Sequence, residues 1–175
     1  MSRISLKVVA SGILLTAVAG GIAIAAHGQS KSEAGLPLSE FKGYKDWAPV
    51  AVSQVPDGIK VEAANPVMIK AYRSGLPADG KKFPDGSKIV KIEWSPVPNK
   101  ASPYPVNVPG KVMSVAFIEK DLKRFPKSNG WAYAKYLPDP KSGRLKLDGP
   151  GNQCGYSCHS GVAAQDYIFT AYPPR

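Results

Sequence analysis

Two cysteines, two histidines and three methionines are all that this chain of 175 residues offers as soft or imidazole ligands. At most one disulfide can form, so a small, disulfide-stapled scaffold is excluded. Acidic residues are also scarce, 13 against 23 lysines and arginines. The chain has one long apolar run, Val8 to Ala26, and no internal repeat. Beyond that run nothing is apolar enough to span a bilayer.

Arg3 and Lys7 precede the apolar run, and small residues after it offer cleavage after Ala25 or Gly28. Residues 1–28 therefore read as a secretory signal peptide, with an uncleaved membrane anchor as the alternative reading. Either reading puts the folded part outside the cytoplasm, and the periplasm is the expected compartment. Losing Arg3 and Lys7 leaves 21 basic against 13 acidic residues, a net of about +8. Nucleic acid is not an expected partner of an exported protein. The excess of lysine suits either a solvated surface or an acidic partner. About 147 residues remain from Gln29 to Arg175, enough for one core and one domain over 38–175. Residues 29–37 are small, polar and aperiodic, as in a tether.

Seventeen prolines and 17 glycines cut the chain into short segments, and between them apolar residues alternate more often than they recur at helical spacing. The expected fold is α+β: mainly antiparallel sheet, with a few short helices. A short helix capped by Ser39 is expected to reach Trp47, and strands are expected over Val50–Gln54 and Ile59–Ala63. Asn65-Pro66 reads as a cap followed by proline at the first helical position, with the helix running to Gly75. Further strands are expected over Ser87–Ser95, Gly110–Lys120 and Trp131–Leu137, and a small hairpin within Pro138–Gly151. In Ser87–Ser95, period two sends Val90, Ile92 and Trp94 to one face and Ile89, Lys91 and Glu93 to the other. By pattern alone Lys91 is a solvated lysine on the open side of a sheet.

Both cysteines fall in Cys154-Gly155-Tyr156-Ser157-Cys158-His159. Two thiols for two vinyl groups, with an imidazole directly after for iron, is the logic of c-type haem attachment, usually written C-x-x-C-H. Here the gap is one residue longer, which predicts a looser or bulged segment. A disulfide between Cys154 and Cys158 is the competing reading. If the leader is cleaved after Gly28, His27 leaves with it and His159 is the only imidazole for a metal.

The order and spacing of several segments resemble the cytochrome P-460 family. They are Gly43-Tyr44 with Trp47, Asn65-Pro66 with Ala71-Tyr72, Phe83-Pro84-Asp85-Gly86 leading into Ile89-Val90-Lys91, and Lys120-Asp121 with Arg124-Phe125. Gly130-Trp131-Ala132-Tyr133 and Asp166-Tyr167-Ile168-Phe169-Thr170 complete the set. The resemblance implies a homodimeric, β-rich protein with one covalent c-type haem per chain, bonded to Cys154 and Cys158, with His159 on iron. It also implies a lysine bonded to the haem macrocycle, at Lys91. Enzymatic members resemble hydroxylamine oxidases: hydroxylamine binds ferric iron, loses electrons and protons, and reacts with nitric oxide to give nitrous oxide. Their electrons imply a redox partner protein. The family's carboxylate on the strand before the Lys-Asp pair falls at Ala116 here, which leaves Glu93 and Glu119 as candidate proton acceptors. A non-enzymatic nitric-oxide binder, similar to cytochrome c-prime-beta, is the second expectation. An electron carrier is the third, which would need a sixth ligand such as Met68 or Met113.

Overall fold

Short runs between prolines and glycines become strands in the computed structural model, which describes residues 36–78, 80–149 and 151–173. The expected leader and most of the expected tether lie outside these residues. Six strands form one sheet: β1 (Ala48–Val55), β2 (Gly58–Ala64), β3 (Lys88–Pro98), β4 (Asn107–Lys120), β5 (Trp131–Pro138) and β6 (Leu145–Leu147). Their order in space is their order in the chain, and every neighbouring pair is antiparallel. This is the α+β, mainly antiparallel architecture expected, in one domain. The stretch expected to hold a small hairpin contributes a single short strand, β6, which pairs back onto the end of β5 (Tyr136–Pro138).

Among the described residues two α-helices accompany the sheet, α1 (Pro66–Arg73) and α2 (Asn152–His159). Asn65 starts α1 as its sequence predicts, accepting the Met68 amide at 3.0 Å through Oδ1. The same oxygen accepts the Lys88 amide at 3.1 Å, while Nδ2 donates to the Gly86 carbonyl at 2.8 Å. One side chain thus caps the helix and joins it to the entry of β3. The helix expected from Ser39 to Trp47 is instead two 3₁₀ turns, Leu38–Phe41 and Tyr44–Asp46, broken by Gly43 at φ 76°. Ser39 lies inside the first turn. Pro37 occupies the cap position with no side-chain hydrogen bond, so nothing there anchors a longer helix.

Period two divides the buried residues between the faces of the sheet. On one face Ala63, Val90, Val115, Phe117, Ala132, Ala134 and Tyr136 pack under Leu36, Phe41 and Phe125. Phe41 and Phe117 are essentially fully buried, which is worth about 1.5–3 kcal/mol each. On the other face Ala64, Ile89, Trp131 and Tyr133 pack under Met68, Ile69 and Tyr72 of α1 and under Phe83 and Ile168. Helix α1 sits on β2 and β3, and α2 sits on β5. Between the two helices this second face is covered incompletely, and the space left there is the site.

Candidate functional site

The residues of the second face stand in rows, because antiparallel register aligns side chains of equal parity. One row crosses four strands: Glu62 opposite Lys91, Lys91 opposite Ala116, Ala116 opposite Lys135. These four, with Ile89, Ile118 and Tyr133 beside them, form the sheet wall of a cavity of 610 Å³. Helix α2 contributes Cys154, Gly155, Cys158 and His159, and the segment after it contributes Ile168 and Phe169. The volume lies within the range of small-molecule and cofactor sites.

Helix α2 is regular across the whole motif, so the predicted loosening or bulge is absent. Four residues make one helical turn, and an i, i+4 pair lies on one face about 5–6 Å apart at Cβ. The longer gap therefore still aims both sulfurs at the same cavity. It also separates them beyond the 3.5–4.5 Å at Cβ that a disulfide needs. Both thiols are free and exposed. Gly155, between them, lets the helix come close: a Cβ there would collide with Cβ and Cγ of Tyr133. Asn152 seats the start of the helix on β5 by accepting the Tyr133 amide at 3.0 Å.

His159 ends α2 with its Nδ1 2.6 Å from the Tyr167 carbonyl oxygen. A carbonyl only accepts, so Nδ1 carries the hydrogen and Nε2 presents its lone pair. Burial is the largest influence on the imidazole and pushes its pKa down; the Tyr167 carbonyl opposes this and the charge of Lys91 reinforces it. A neutral ring is the form that binds metal. Tyr133 and Phe169 hold it at centroid distances of 4.8 and 4.9 Å. The carbonyl is aimed by two residues in the left-handed region, Asp166 at φ 50° and Tyr167 at φ 65°. Asp166 is fixed by Lys120 at 2.9 Å and by the Phe83 amide at 2.8 Å.

Lys91 faces the cavity half-buried, without an ion pair or hydrogen bond among the described residues. It is therefore not the solvated surface lysine that its strand pattern alone implies. Glu62 was not among the residues singled out from the sequence. Its Oε2 is buried and has no hydrogen-bond partner among the described residues. Burial raises its pKa, against the opposing charge of Lys91 and, more weakly, of Lys60.

Neither sequence-predicted carboxylate joins this group. Glu93 shares the parity of Lys91 but is held by Lys60 at 3.4 Å and by the Ser114 hydroxyl at 3.1 Å, outside the cavity lining. Glu119 points to the opposite face, where it meets Lys88 at 3.2 Å and Arg124 at 3.5 Å. The two methionines are equally remote from the lining: Met68 is buried in α1, and Met113 is exposed on β4. Ala116 does line the wall.

Two free thiols one turn apart, an imidazole with its lone pair released and apolar walls of Ile89, Ile118, Ile168 and Phe169 form a donor set that fits a haem. The family model for cytochrome P-460 matches residues 41–170. No curated protein matches the chain.

Proposed function

The chain belongs to the cytochrome P-460 family and is a haem protein of that family, and on that premise we propose that it oxidises hydroxylamine or related small nitrogen compounds in the cavity beside Lys91. In this reading one haem per chain is held by thioethers to Cys154 and Cys158, with Nε2 of His159 on iron and the Lys91 nitrogen bonded to the macrocycle. A haem held this way supplies an iron centre that accepts electrons from a small ligand. The observation that carries the reading is that Lys91, 63 residues from Cys154 in the chain, shares one cavity with Cys154, Cys158 and His159. Tyr167 keeps His159 oriented through its carbonyl. Gly155 keeps the two thiols against the sheet. The apolar walls keep bulk water from a ligand bound between them.

A specific observation favours a second reading, nitric-oxide binding without turnover: the wall beside Lys91 on β4 is Ala116, which offers no proton acceptor. The electron-carrier reading has less support, since neither Met68 nor Met113 lines the cavity. The same proposal has the protein exported to the periplasm, passing electrons to a redox partner and working as a homodimer. The leader-like residues 1–28 support export, and the basic charge supports an acidic partner. Exposed Val97, Val106, Val108 and Met113 on β3, β4 and the turn between them offer apolar surface for a second copy.

The deciding experiment has two parts. Haem should stay on the polypeptide through denaturing extraction, and tryptic mass spectrometry should find the Lys91 peptide joined to the Cys154–His159 peptide through haem. Steady-state assay with hydroxylamine and an artificial electron acceptor should then show turnover. Tight nitric-oxide binding with no turnover would replace the first reading by the second.

A further inference from the structure

Two carboxylates line the cavity among the described residues, Glu62 and Asp148. Asp148 is exposed and paired with Lys135 at 3.4 Å, so its charge is spoken for. Glu62 is different. Its Oε2 is buried, unpartnered and at the cavity wall, and a buried acceptor left unpaired costs stability that the fold does not recover locally. Cross-strand register sets it directly opposite Lys91 on β2, while Ala116 flanks Lys91 on the other side on β4. Directly opposed residues have Cβ atoms about 4.5–5.5 Å apart, so the Glu62 carboxyl and the Lys91 nitrogen share the same end of the cavity.

We propose that Glu62 is the proton acceptor of this site: a catalytic residue on β2 that takes a proton from a small N–H or O–H ligand of the hydroxylamine class. This rests on the function proposed above. In the step, the N–H or O–H bond of the ligand breaks and its proton passes to Oε2 of Glu62. The bonding pair stays on the ligand, and the electrons the ligand then gives up go to the redox partner already named. A base works best with a pKa near the working pH. Burial moves Glu62 in that direction, and the Lys91 ammonium is the strongest opposing influence. The other titratable groups that act on it or respond to it are Lys60 on its own strand and Tyr72 on α1. A Lys91 nitrogen bonded to a ring carbon is an uncharged amine, so the crosslink removes the cation that most weakens this base. Crosslinking and proton transfer are thereby coupled through one cross-strand pair.

The test compares haem-loaded wild type, Glu62→Gln and the double variant Glu62→Gln/Ala116→Glu. Glu62→Gln should keep haem content and lose hydroxylamine turnover by about 10²–10⁴-fold. The double variant should regain turnover, because position 116 offers a carboxylate to the same space from the other side of Lys91. Infrared pH titration should show one carboxyl in wild type that stays protonated above the ordinary glutamate value of about 4.3, missing in Glu62→Gln. Unchanged turnover, or the same carboxyl bands in both proteins, overturns the proposal. If wild type shows no turnover at all, the proposed function fails by itself. Optical titration with hydroxylamine at several pH values then decides on Glu62: a pH dependence abolished in Glu62→Gln supports it, and an unchanged one overturns it.

Discussion

Lys120 and Asp166 form an ion pair at 2.9 Å with both side chains about 97 % buried, and the carbonyl that receives His159 belongs to the next residue, Tyr167. Lys120 also donates to the Asn129 carbonyl at 2.8 Å and lies 4.8 Å over the Trp131 ring. The pair ties the end of β4 to the segment after α2. It holds Asp166 and Tyr167 in a backbone conformation that costs roughly 1–2 kcal/mol per residue for side chains with a Cβ. The imidazole is thus oriented by a charge pair it never touches.

Replacing Asp166 with Asn leaves the Lys120 ammonium buried without its counter-ion. The expected loss of stability is about 3–5 kcal/mol, read by urea unfolding of the apoprotein. In haem-loaded protein the same variant should also broaden or shift the haem absorption, because the Tyr167 carbonyl that orients His159 loses its anchor. A variant with wild-type stability would show that the pair is not closed to water.

Gly155→Ala puts a methyl group into the Tyr133 ring. Overpacking of this kind costs about 1–3 kcal/mol, and relief requires α2 to move off β5. Thermal unfolding and the ratio of haem to protein after expression should both fall. A fully loaded, unshifted variant would mean that the helix has room the structure denies it.

Apoprotein stability should depend on pH through Glu62. Its folded pKa is raised by burial, so its contribution is most favourable below the unfolded value of about 4.3 and is lost as pH rises through the folded value. Glu62→Gln should therefore gain melting temperature relative to wild type at pH 8 and lose that advantage at pH 4. Calorimetry at the two pH values checks the sign.

Glu119→Gln and Glu93→Gln should leave hydroxylamine turnover unchanged, since one carboxylate faces away from the cavity and the other is engaged outside its lining. Glu119→Gln should instead lower stability, by weakening the contacts with Lys88 and Arg124. Loss of turnover in the Glu119 variant at unchanged stability would contradict the strand parity described above.

Much of this was readable in advance where local physics decides. The Asn65 cap and the strand around Lys91 follow from side-chain chemistry and period two. Parity alone separates Glu119 from Ala116, three residues away on β4. Glu62 was hidden for a different reason. Its partner is set by the register of β2 against β3, and between those strands lie α1 and the Pro84-Asp85-Gly86 turn. No two-residue hairpin ties that register to the local sequence. The cavity likewise depends on how far two helices, with 78 residues between the end of one and the start of the other, leave the sheet uncovered.

A sheet whose strands pair only with their chain neighbours has low contact order for a β fold, and such topologies form quickly from near-sequence contacts. The wall residues Glu62, Lys91, Ala116 and Lys135 come from four strands consecutive in the chain. Asp166, Tyr167 and Asn152 reach back to Lys120, Asn129 and Tyr133. Any group held by α2 therefore faces a wall built entirely from strands that precede it in the chain.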